Sequence, residues 1–262
     1  TRTLVAAGKD DGTENARFGI LLAMTTAQFQ ALSSFRSGFK ARCELWLEAA
    51  GGRDGWLARA IREAVATESA GDYPIENPIV YNEALDDIDE TSDIRLGVVG
   101  DNPGKNEQLD RNRRYLVGQA GKLGEGFFRN NPELGVDFRK NAVILNKTPI
   151  HTAKTKQLGL LVARSDERFS RLFAETQQWM ASETLALAGS LSCGLWLVGY
   201  GELKASGLFT EYARSLRRGA EEGTPTGGSD VLVFQHFSMN RFSIDLRERS
   251  DPALSLSENL RN

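Results

Sequence analysis

Cysteine and histidine are scarce in this chain of 262 residues, which contains two of each. Cys43 and Cys193 lie far apart and form no C-x-x-C pair, so they cannot supply a four-ligand metal site by themselves. Because both cysteines are surrounded by apolar residues, we expect buried free thiols in a reducing cytoplasm. This scarcity argues against a disulfide scaffold and against a cysteine-rich metal domain.

Long apolar runs are also missing from the sequence. No segment approaches the length of about 20 residues that a membrane-spanning helix requires, and no signal peptide is visible. We therefore expect a cytoplasmic protein without a membrane partner. The composition, 40% hydrophobic and 26% charged, is ordinary for a globular protein, and the length suits one large domain.

The two signs of charge nearly balance, and the formal net charge of −3 argues weakly against a nucleic-acid partner. The charges are unevenly distributed, however. Residues 83–93 contain six acids and no base, whereas residues 105–156 contain eleven bases and five acids. Local fields steer polyanions more than net charge does. The basic stretch therefore predicts phosphate contacts, although a solvated face explains the same pattern.

The N-terminal part of the chain has a helical pattern. Residues 1–12 are expected to form a loose terminal segment. Apolar residues at a spacing of three to four predict one helix from about Thr13 to Ala50 and a second from about Trp56 to Ser69. We assign residues 1–90 to an N-terminal helical region that packs on the core, since no chemistry is evident there.

Four short apolar segments with helical patterns between them define the rest of the chain. The predicted buried strands are Ile94–Val99, Asn141–Asn146, Leu195–Gly199 and Val231–Gln235. The predicted helices run to about Arg129, from about Asp166 to Ala188 and from about Leu203 to Leu216. This alternation predicts an α/β fold, a three-layer sandwich with a central four-stranded, mostly parallel sheet and helices on both faces. The α/β domain covers residues 91–250, and a polar tail covers residues 251–262.

Polar residues follow most of the predicted strands. Asp101 and Asn102 come after the first strand, Asn146 ends the second and His236 follows the fourth, while the third leads to the bare backbone of Gly201. The carboxyl ends of parallel strands share one rim of a sheet, where ligands bind. We therefore expect these residues to converge on one crevice.

These segments together resemble the uracil-DNA glycosylase superfamily. Gly100-Asp101-Asn102-Pro103-Gly104 looks like the G-[MI]-N-P-G motif of the single-strand-selective and mismatch-specific branches. Glu107, with the later stretch from Tyr115 to Gly121, resembles the G-E-A-P-G-x-x-E … P-F-V-G-x-A-G pattern of the iron–sulfur branch. Asn146-Lys147-Thr148-Pro149-Ile150 resembles N-Y-C-P-L, and the stretch from His236 to Arg241 resembles H-P-S-P-R-N. The resemblance covers about Ile94 to Ser243.

Several departures from the family pattern bear on the expected site. The four cysteine ligands of the iron–sulfur branch are absent, so we predict no cluster, no other metal and no cofactor. Leu116 beside Tyr115 replaces the stacking phenylalanine, the preceding loop is longer, and Phe237 replaces the proline of the closing motif. These departures predict a base pocket that is not shaped for plain uracil.

The resemblance implies a role for each residue at the rim. Asn102 would hold the attacking water, and Asp101 would orient or activate it. His236 would stabilise negative charge on O2 of the departing base. Asn146 would read the base edge, because an amide presents both a donor and an acceptor. The ordinary alternatives are turn-capping roles for the two asparagines and a core position for the histidine.

Further residues would surround the base and contact the DNA. Tyr115 or Leu116 would pack on the flipped base beside Gly100. The expected DNA contacts are Lys105, Gly118, Gln119, Lys147, Lys154, Lys156, Ser238, Met239, Asn240 and Arg241. Of these, the last three would wedge into the gap that the flipped nucleotide leaves. His151 is expected at the surface.

The sequence thus predicts a monomeric, monofunctional DNA N-glycosylase of base-excision repair. It would flip uracil or a modified pyrimidine out of single- or double-stranded DNA, excise it and leave an abasic site. No lysine is evidently placed as the nucleophile of a lyase step. Two alternatives stay open: a glycosylase for a bulky modified cytosine or thymine in phage DNA, serving anti-phage defence, and a catalytically silent nucleic-acid-binding module.

Overall fold

A computed structural model describes residues 2–5, 24–67, 73–223 and 230–262. Its strands are β1 (Arg2–Val5), β2 (Leu96–Gly100), β3 (Ala142–Asn146), β4 (Gly194–Val198) and β5 (Val231–Phe234). Its α-helices are α1 (Thr26–Ala49), α2 (Trp56–Thr67), α3 (Gln119–Asn130), α4 (Thr155–Ala163), α5 (Glu167–Leu191), α6 (Thr210–Glu221), α7 (Arg241–Arg249) and α8 (Leu256–Arg261). The part of the predicted first helix that precedes residue 24 lies outside the described residues.

The central sheet has the strand order β1-β5-β4-β2-β3. β5, β4, β2 and β3 are mutually parallel, which confirms the predicted α/β sandwich and its four-stranded core. β1 adds an antiparallel edge strand on β5. The prediction of a loose segment is wrong for Arg2–Val5, because the pairing partner lies more than 200 residues away in sequence and leaves no local pattern.

The two faces of the sheet carry different helices. Trp196 of β4 packs with Phe127 of α3 and Phe242 of α7 on one face, which we call the α3 face. On the opposite face, which we call the α5 face, Phe209 at the start of α6 packs with Phe173 of α5. Side chains alternate between the faces along each strand. Gly100 and Asn146, which pair in register, therefore belong to the α3 face, and the residue after each belongs to the α5 face.

The N-terminal helices extend the layer on the α5 face. Trp179 of α5 stacks on Phe35 and Phe39 of α1, with ring centroids 6.0 and 5.6 Å apart. Phe39 is fully buried. None of the helices among the described residues has the length and apolarity that a membrane crossing needs.

The helix predicted from Leu203 begins later, at Thr210. A short 3-10 turn, Tyr200–Leu203, occupies the preceding residues. The chain then folds back, since the N–H of Phe209 donates to the carbonyl of Glu202 at 2.8 Å. Gly207 is required in this bend, because a Cβ there would lie 2.3 Å from that carbonyl oxygen.

Candidate active site

The carboxyl ends of the four parallel strands form one rim, as the sequence predicts. In the spatial order β5, β4, β2, β3 the rim presents His236, Gly199, Asp101 and Asn146. Neighbouring strands lie about 4.8 Å apart. The four strand ends therefore span about 14 Å along the rim.

Asp101 and Lys147 form a buried ion pair beneath this rim. The Nζ of Lys147 donates to Oδ1 of Asp101 at 2.6 Å, to the carbonyl of Val198 at 2.6 Å and to the carbonyl of Gly100 at 3.2 Å. These three acceptors match the three protons of an ammonium group. Burial lowers the pKa of Lys147, and the Asp101 carboxylate opposes that shift.

The predicted phosphate contact of Lys147 is therefore wrong, since its side chain is 0% exposed. The physical reason is the alternation of side chains at the end of a strand. Asn146 belongs to the α3 face, so the next residue turns to the α5 face, where the Nζ of Lys147 lies 5.3 Å from the ring centroid of Phe209.

The carboxylate of Asp101 reaches across the end of β4. A Cβ on Gly199, whose φ is +91°, would lie within hard contact of Oδ1 of Asp101. Only glycine accepts both that backbone conformation and that close approach. The second oxygen, Oδ2, has Thr155 Oγ1 at 3.5 Å. Gly199 thus makes room for the acid, a role that the sequence analysis missed.

Asn146 lies over Gly100, and its amide nitrogen is unsatisfied. The residue is 1% exposed, and its Nδ2 has no hydrogen-bond partner among the described residues. A Cβ at Gly100 would lie 2.5 Å from Oδ1 of Asn146 and 3.7 Å from Leu116. The structure therefore brings three of the predicted base-binding residues together.

Tyr115 is the fourth predicted base-binding residue, and it has another partner. It is 1% exposed, its hydroxyl donates to the carbonyl of Val80, and its N–H donates to Oδ1 of Asn82. Asn82 also donates to the carbonyl of Ile144 on the outer edge of β3. Tyr115 thus ties its loop to that edge, and Leu116 is the member of the pair that lies beside Gly100.

Leu116 has a strained backbone, with φ at +51°. Its carbonyl accepts from the Arg139 guanidinium at 2.8 Å. A Cβ on Gly121 would collide with the same carbonyl. Non-glycine residues with such a φ cost about 1–3 kcal/mol and are held in place by their surroundings. The hydrogen bond from Arg139 holds Leu116 in this conformation, and Gly121 leaves the space that the Leu116 carbonyl needs.

Glu107 connects the turn after β2 to the loop before α3. Its carboxylate is 6% exposed and accepts from the N–H of Gly104 at 3.2 Å. Burial raises the pKa of Glu107 to about 7. Hydrogen bonds from the N–H groups of Gly104, Leu116 and Gly118 act in the opposite direction and limit this rise. The sequence singles out Glu107, but only the structure reveals that it connects these two loops.

Asn102 is half-buried, and its amide is engaged by α4 and the segment before it. Nδ2 donates to Oγ1 and to the carbonyl of Thr152 at 3.0 and 3.1 Å, and Oδ1 accepts from Thr155 at 3.3 Å. A carbonyl oxygen has two lone pairs. Oδ1 therefore keeps one for a water molecule. Thr152 and Thr155 follow β3 in sequence, and polar residues after a predicted strand are the signal that marks such positions.

His151 is buried below this turn, so its expected surface position is wrong. Its Nδ1 lies 2.9 Å from the carbonyl of Pro103, and its Nε2 lies 3.1 Å from the hydroxyl of Tyr73. Burial lowers the pKa of His151 to about 4. Neutral His151 therefore supports the turn that carries Asn102.

His236 has one ring nitrogen engaged and one available. Nδ1 accepts from the N–H of Ser238 at 3.1 Å and lies 2.8 Å from its hydroxyl. The proton of the neutral ring is accordingly assigned to Nε2. Burial lowers the pKa of His236, nearby Asp101 opposes that shift, and Lys147 adds to it. The neutral histidine can thus donate a hydrogen bond from Nε2.

The loop after His236 projects a bare apolar side chain. Met239 is 78% exposed, and it and Asn240 have φ values of +54° and +56°. Phe237 anchors the loop, with its ring 4.9 Å from that of Phe242 and 1% of the residue exposed. Phe237 therefore fills the core on the α3 face.

The remaining predicted DNA contacts lie around the rim. Gly118 caps the start of α3, and the next residue, Gln119, is exposed. Lys105 is exposed, with Nζ 5.0 Å from the ring centroid of Tyr73. Lys154 and Lys156 are exposed at the start of α4. These positions leave the three lysines accessible to solvent.

Within the described ranges, no three side chains of the His, Cys, Asp and Glu types are grouped so that they could hold a metal ion. Comparisons of the chain with known protein families, with curated proteins and with solved structures gave no significant match.

Proposed function

We propose that this chain is a monofunctional DNA glycosylase that excises uracil or a modified pyrimidine and leaves an abasic site. The observation that carries the proposal is the buried Nδ2 of Asn146, which has no partner at the rim. An unsatisfied buried donor costs about 1–3 kcal/mol. The O4 carbonyl of a flipped pyrimidine would accept from this donor while N3–H donates to Oδ1.

The neighbouring groups suit the cleavage step. The bond between C1′ and N1 breaks with its electron pair on the base, and Nε2–H of His236 stabilises the charge that reaches O2. A water molecule held by Oδ1 of Asn102 attacks C1′, and Asp101 accepts its proton. The negative carboxylate also favours the cationic character of the sugar.

The position of the Lys147 amine argues against a lyase step. A lyase nucleophile must be a free, neutral amine that can reach C1′. The three oxygen acceptors around Nζ hold the Lys147 side chain below the rim, so the amine is not free to attack C1′. The proposed product is therefore an intact strand with an abasic site.

Leu116 bears on the size of the base that the site would accept. Leu116 lies beside Gly100, and the family that the sequence resembles has a stacking phenylalanine at this position. A leucine would cover less of the face of a stacked base than a phenylalanine ring would. This observation favours a substituted pyrimidine, such as a modified phage base, as one substrate class.

A second candidate function is a nucleic-acid-binding module that does not cleave. It is favoured by the ion pair, because Oδ1 of Asp101 already accepts a hydrogen bond from Lys147 at 2.6 Å and only Oδ2 is left to accept a proton from water. In both candidates DNA is the partner. We also propose that the chain acts as a monomer in the cytoplasm, where Cys43 and Cys193 stay reduced.

The test is release of a base from oligonucleotides that contain uracil, thymine or a modified cytosine, together with modified phage DNA. Alkali-sensitive abasic sites on at least one substrate, and their loss in Asn146→Ala, would support the glycosylase. Tight binding to flipped-base analogues without cleavage would favour the binding module. Absence of both cleavage and DNA binding would overturn both candidates.

A further inference from the structure

A groove between α3 and α7 begins next to the exposed Met239. It has a volume of about 560 Å³, and its walls include Lys122 and Arg129 of α3 and Arg247 of α7. Asn240, the residue after Met239, lines the groove. A ligand that contacts Met239 would therefore lie next to this groove.

The groove is positively charged. Lys122, Arg129 and Arg247 are exposed, and none of the residues that line the groove is acidic. No ion pair between these three cations and an acid occurs within the described ranges. Asn130 and Ser243 add neutral polar groups to the walls. Such a surface complements a polyanion.

The larger cleft of the molecule differs in this respect. It has a volume of about 820 Å³ and lies outside β3. Each of its three arginines is paired with an acid, as Arg114 is with Asp87. The cleft also contains Lys140 and shares Lys122 with the groove, so its lining has five bases and three acids, whereas the lining of the groove at α3 and α7 has three bases and no acid.

The spacing of the cations suits a nucleic-acid strand. Lys122 and Arg129 are separated by two helical turns, which is a distance of about 10.5 Å along α3. A DNA strand rises about 3.4 Å per nucleotide. The two cations can therefore contact phosphates roughly three nucleotides apart.

We propose that this groove binds the phosphodiester backbone of DNA beyond the flipped nucleotide, with Met239 at the boundary between the two. The inference rests on the proposed function, because that function places DNA at the rim. It assigns the main electrostatic contact to Lys122, Arg129 and Arg247, whereas the phosphate contacts expected from the sequence were Lys105, Lys147, Lys154 and Lys156.

The test compares the triple variant Lys122→Ala/Arg129→Ala/Arg247→Ala with a control that loses the same charge. The control, Arg171→Ala/Arg217→Ala/Arg218→Ala, alters exposed residues of α5 and α6 on the opposite face. The probe is a 21-base-pair duplex without a damaged base, titrated at 50 and 200 mM salt. Thermal unfolding of each variant checks the fold.

We expect the wild-type protein and the control to lose affinity steeply with salt. Each phosphate contact adds about 0.9 to the steepness with which the logarithm of DNA affinity falls with the logarithm of salt concentration. After the loss of three contacts, the decrease in affinity between 50 and 200 mM salt should therefore be about 40-fold smaller. Each single substitution should remove about a third of that slope change. Equal slopes for the groove variant and the wild type would overturn the proposal, as would an equal loss in the control.

A base-release assay on the same proteins separates this inference from the proposed function. If the groove variant loses salt-dependent binding and no protein releases a base, the groove binds DNA but the chain is not a glycosylase. If the proteins release a base and the groove variant binds DNA as the wild type does, the chain is a glycosylase but the groove does not bind DNA. We also expect the wild type, but not the groove variant, to prefer the duplex over a trinucleotide that contains the substrate base.

Discussion

The Nζ of Lys147 lies 2.6 Å from Oδ1 of Asp101, and the lysine is completely excluded from solvent. The pair joins the ends of β2, β3 and β4, since the carbonyls of Gly100 in β2 and Val198 in β4 complete the coordination of the ammonium of Lys147, which follows β3. The acid at the centre of the candidate site is therefore part of the structural core.

Removal of Lys147 should destabilise the protein. In Lys147→Met the Asp101 carboxylate is left buried without its cation, which costs about 3–5 kcal/mol. Urea unfolding at pH 7 measures the loss, and Lys154→Met, at an exposed lysine, should change the free energy of unfolding by less than about 0.5 kcal/mol. The double variant Asp101→Asn/Lys147→Met should recover much of the stability. An unchanged single variant would mean that the pair is not formed in solution.

Removal of the Asn146 amide should affect the reaction and leave the fold intact. Nδ2 has no hydrogen-bond partner in the described part of the chain, so Asn146→Ala removes no hydrogen bond of that nitrogen seen there. Excision should fall at least about 100-fold, the effect of removing one donor to a developing negative charge. Asn146→Asp should change the preference among uracil, thymine and modified cytosines, because a carboxylate lacks the donor.

Asn82 provides the matched control for this experiment. Its amide is also buried but is bonded to Ile144 and Tyr115. Asn82→Ala should therefore lower the free energy of unfolding by about 1–3 kcal/mol. If the Asn146 variant is destabilised to the same degree, its amide has a structural partner and the base-reading role fails.

Glu107 should make the stability depend on pH. Its pKa of about 7 lies above the ordinary value of 4.5, so the folded state binds its proton more tightly than the unfolded state. The contribution to stability is complete below pH 4.5 and is lost as the pH rises through 7. The loss is on the order of 3 kcal/mol.

The measurement is urea unfolding of the wild type and of Glu107→Gln between pH 4 and pH 8. The difference in unfolding free energy, wild type minus variant, should decrease with rising pH. His151, whose pKa is about 4, acts in the opposite direction but is present in both proteins and cancels. A pH-independent difference would show that Glu107 titrates normally.

Truncation of Met239 should impair excision from duplex DNA more than from single strands. The side chain is 78% exposed, so Met239→Ala should leave the stability unchanged. If the side chain fills the gap in the stack, its loss should slow duplex excision about 10-fold, because unstacking costs a few kcal/mol per step. Leu45→Ala, at an apolar residue of α1 that is 55% exposed, is the control. Equal effects on the two substrates would contradict a wedge role.

Local pattern predicted the parallel strands and the convergence of Asp101, Asn146 and His236, because both depend on short apolar runs and on strand ends. It missed the position of Lys147, since a charged residue after a strand is normally exposed and only the alternation of side chains indicates otherwise. It missed the burial of His151 as well. That burial depends on Tyr73, a partner 78 positions earlier in the chain.

The opposite orientations of Asn146 and Lys147 also bear on strand registration. β2 and β3 are buried on both faces, and the middle of β3, Val143 to Leu145, consists of apolar residues of similar size, so burial of these side chains alone specifies the register weakly. Such a slip would place the lysine over Gly100 and the amide against Phe209, which separates the ion pair. The polar ends of these strands therefore select one alignment among several that hydrophobic packing permits. Single-residue insertions or deletions within β3 should accordingly be much more damaging than apolar substitutions there.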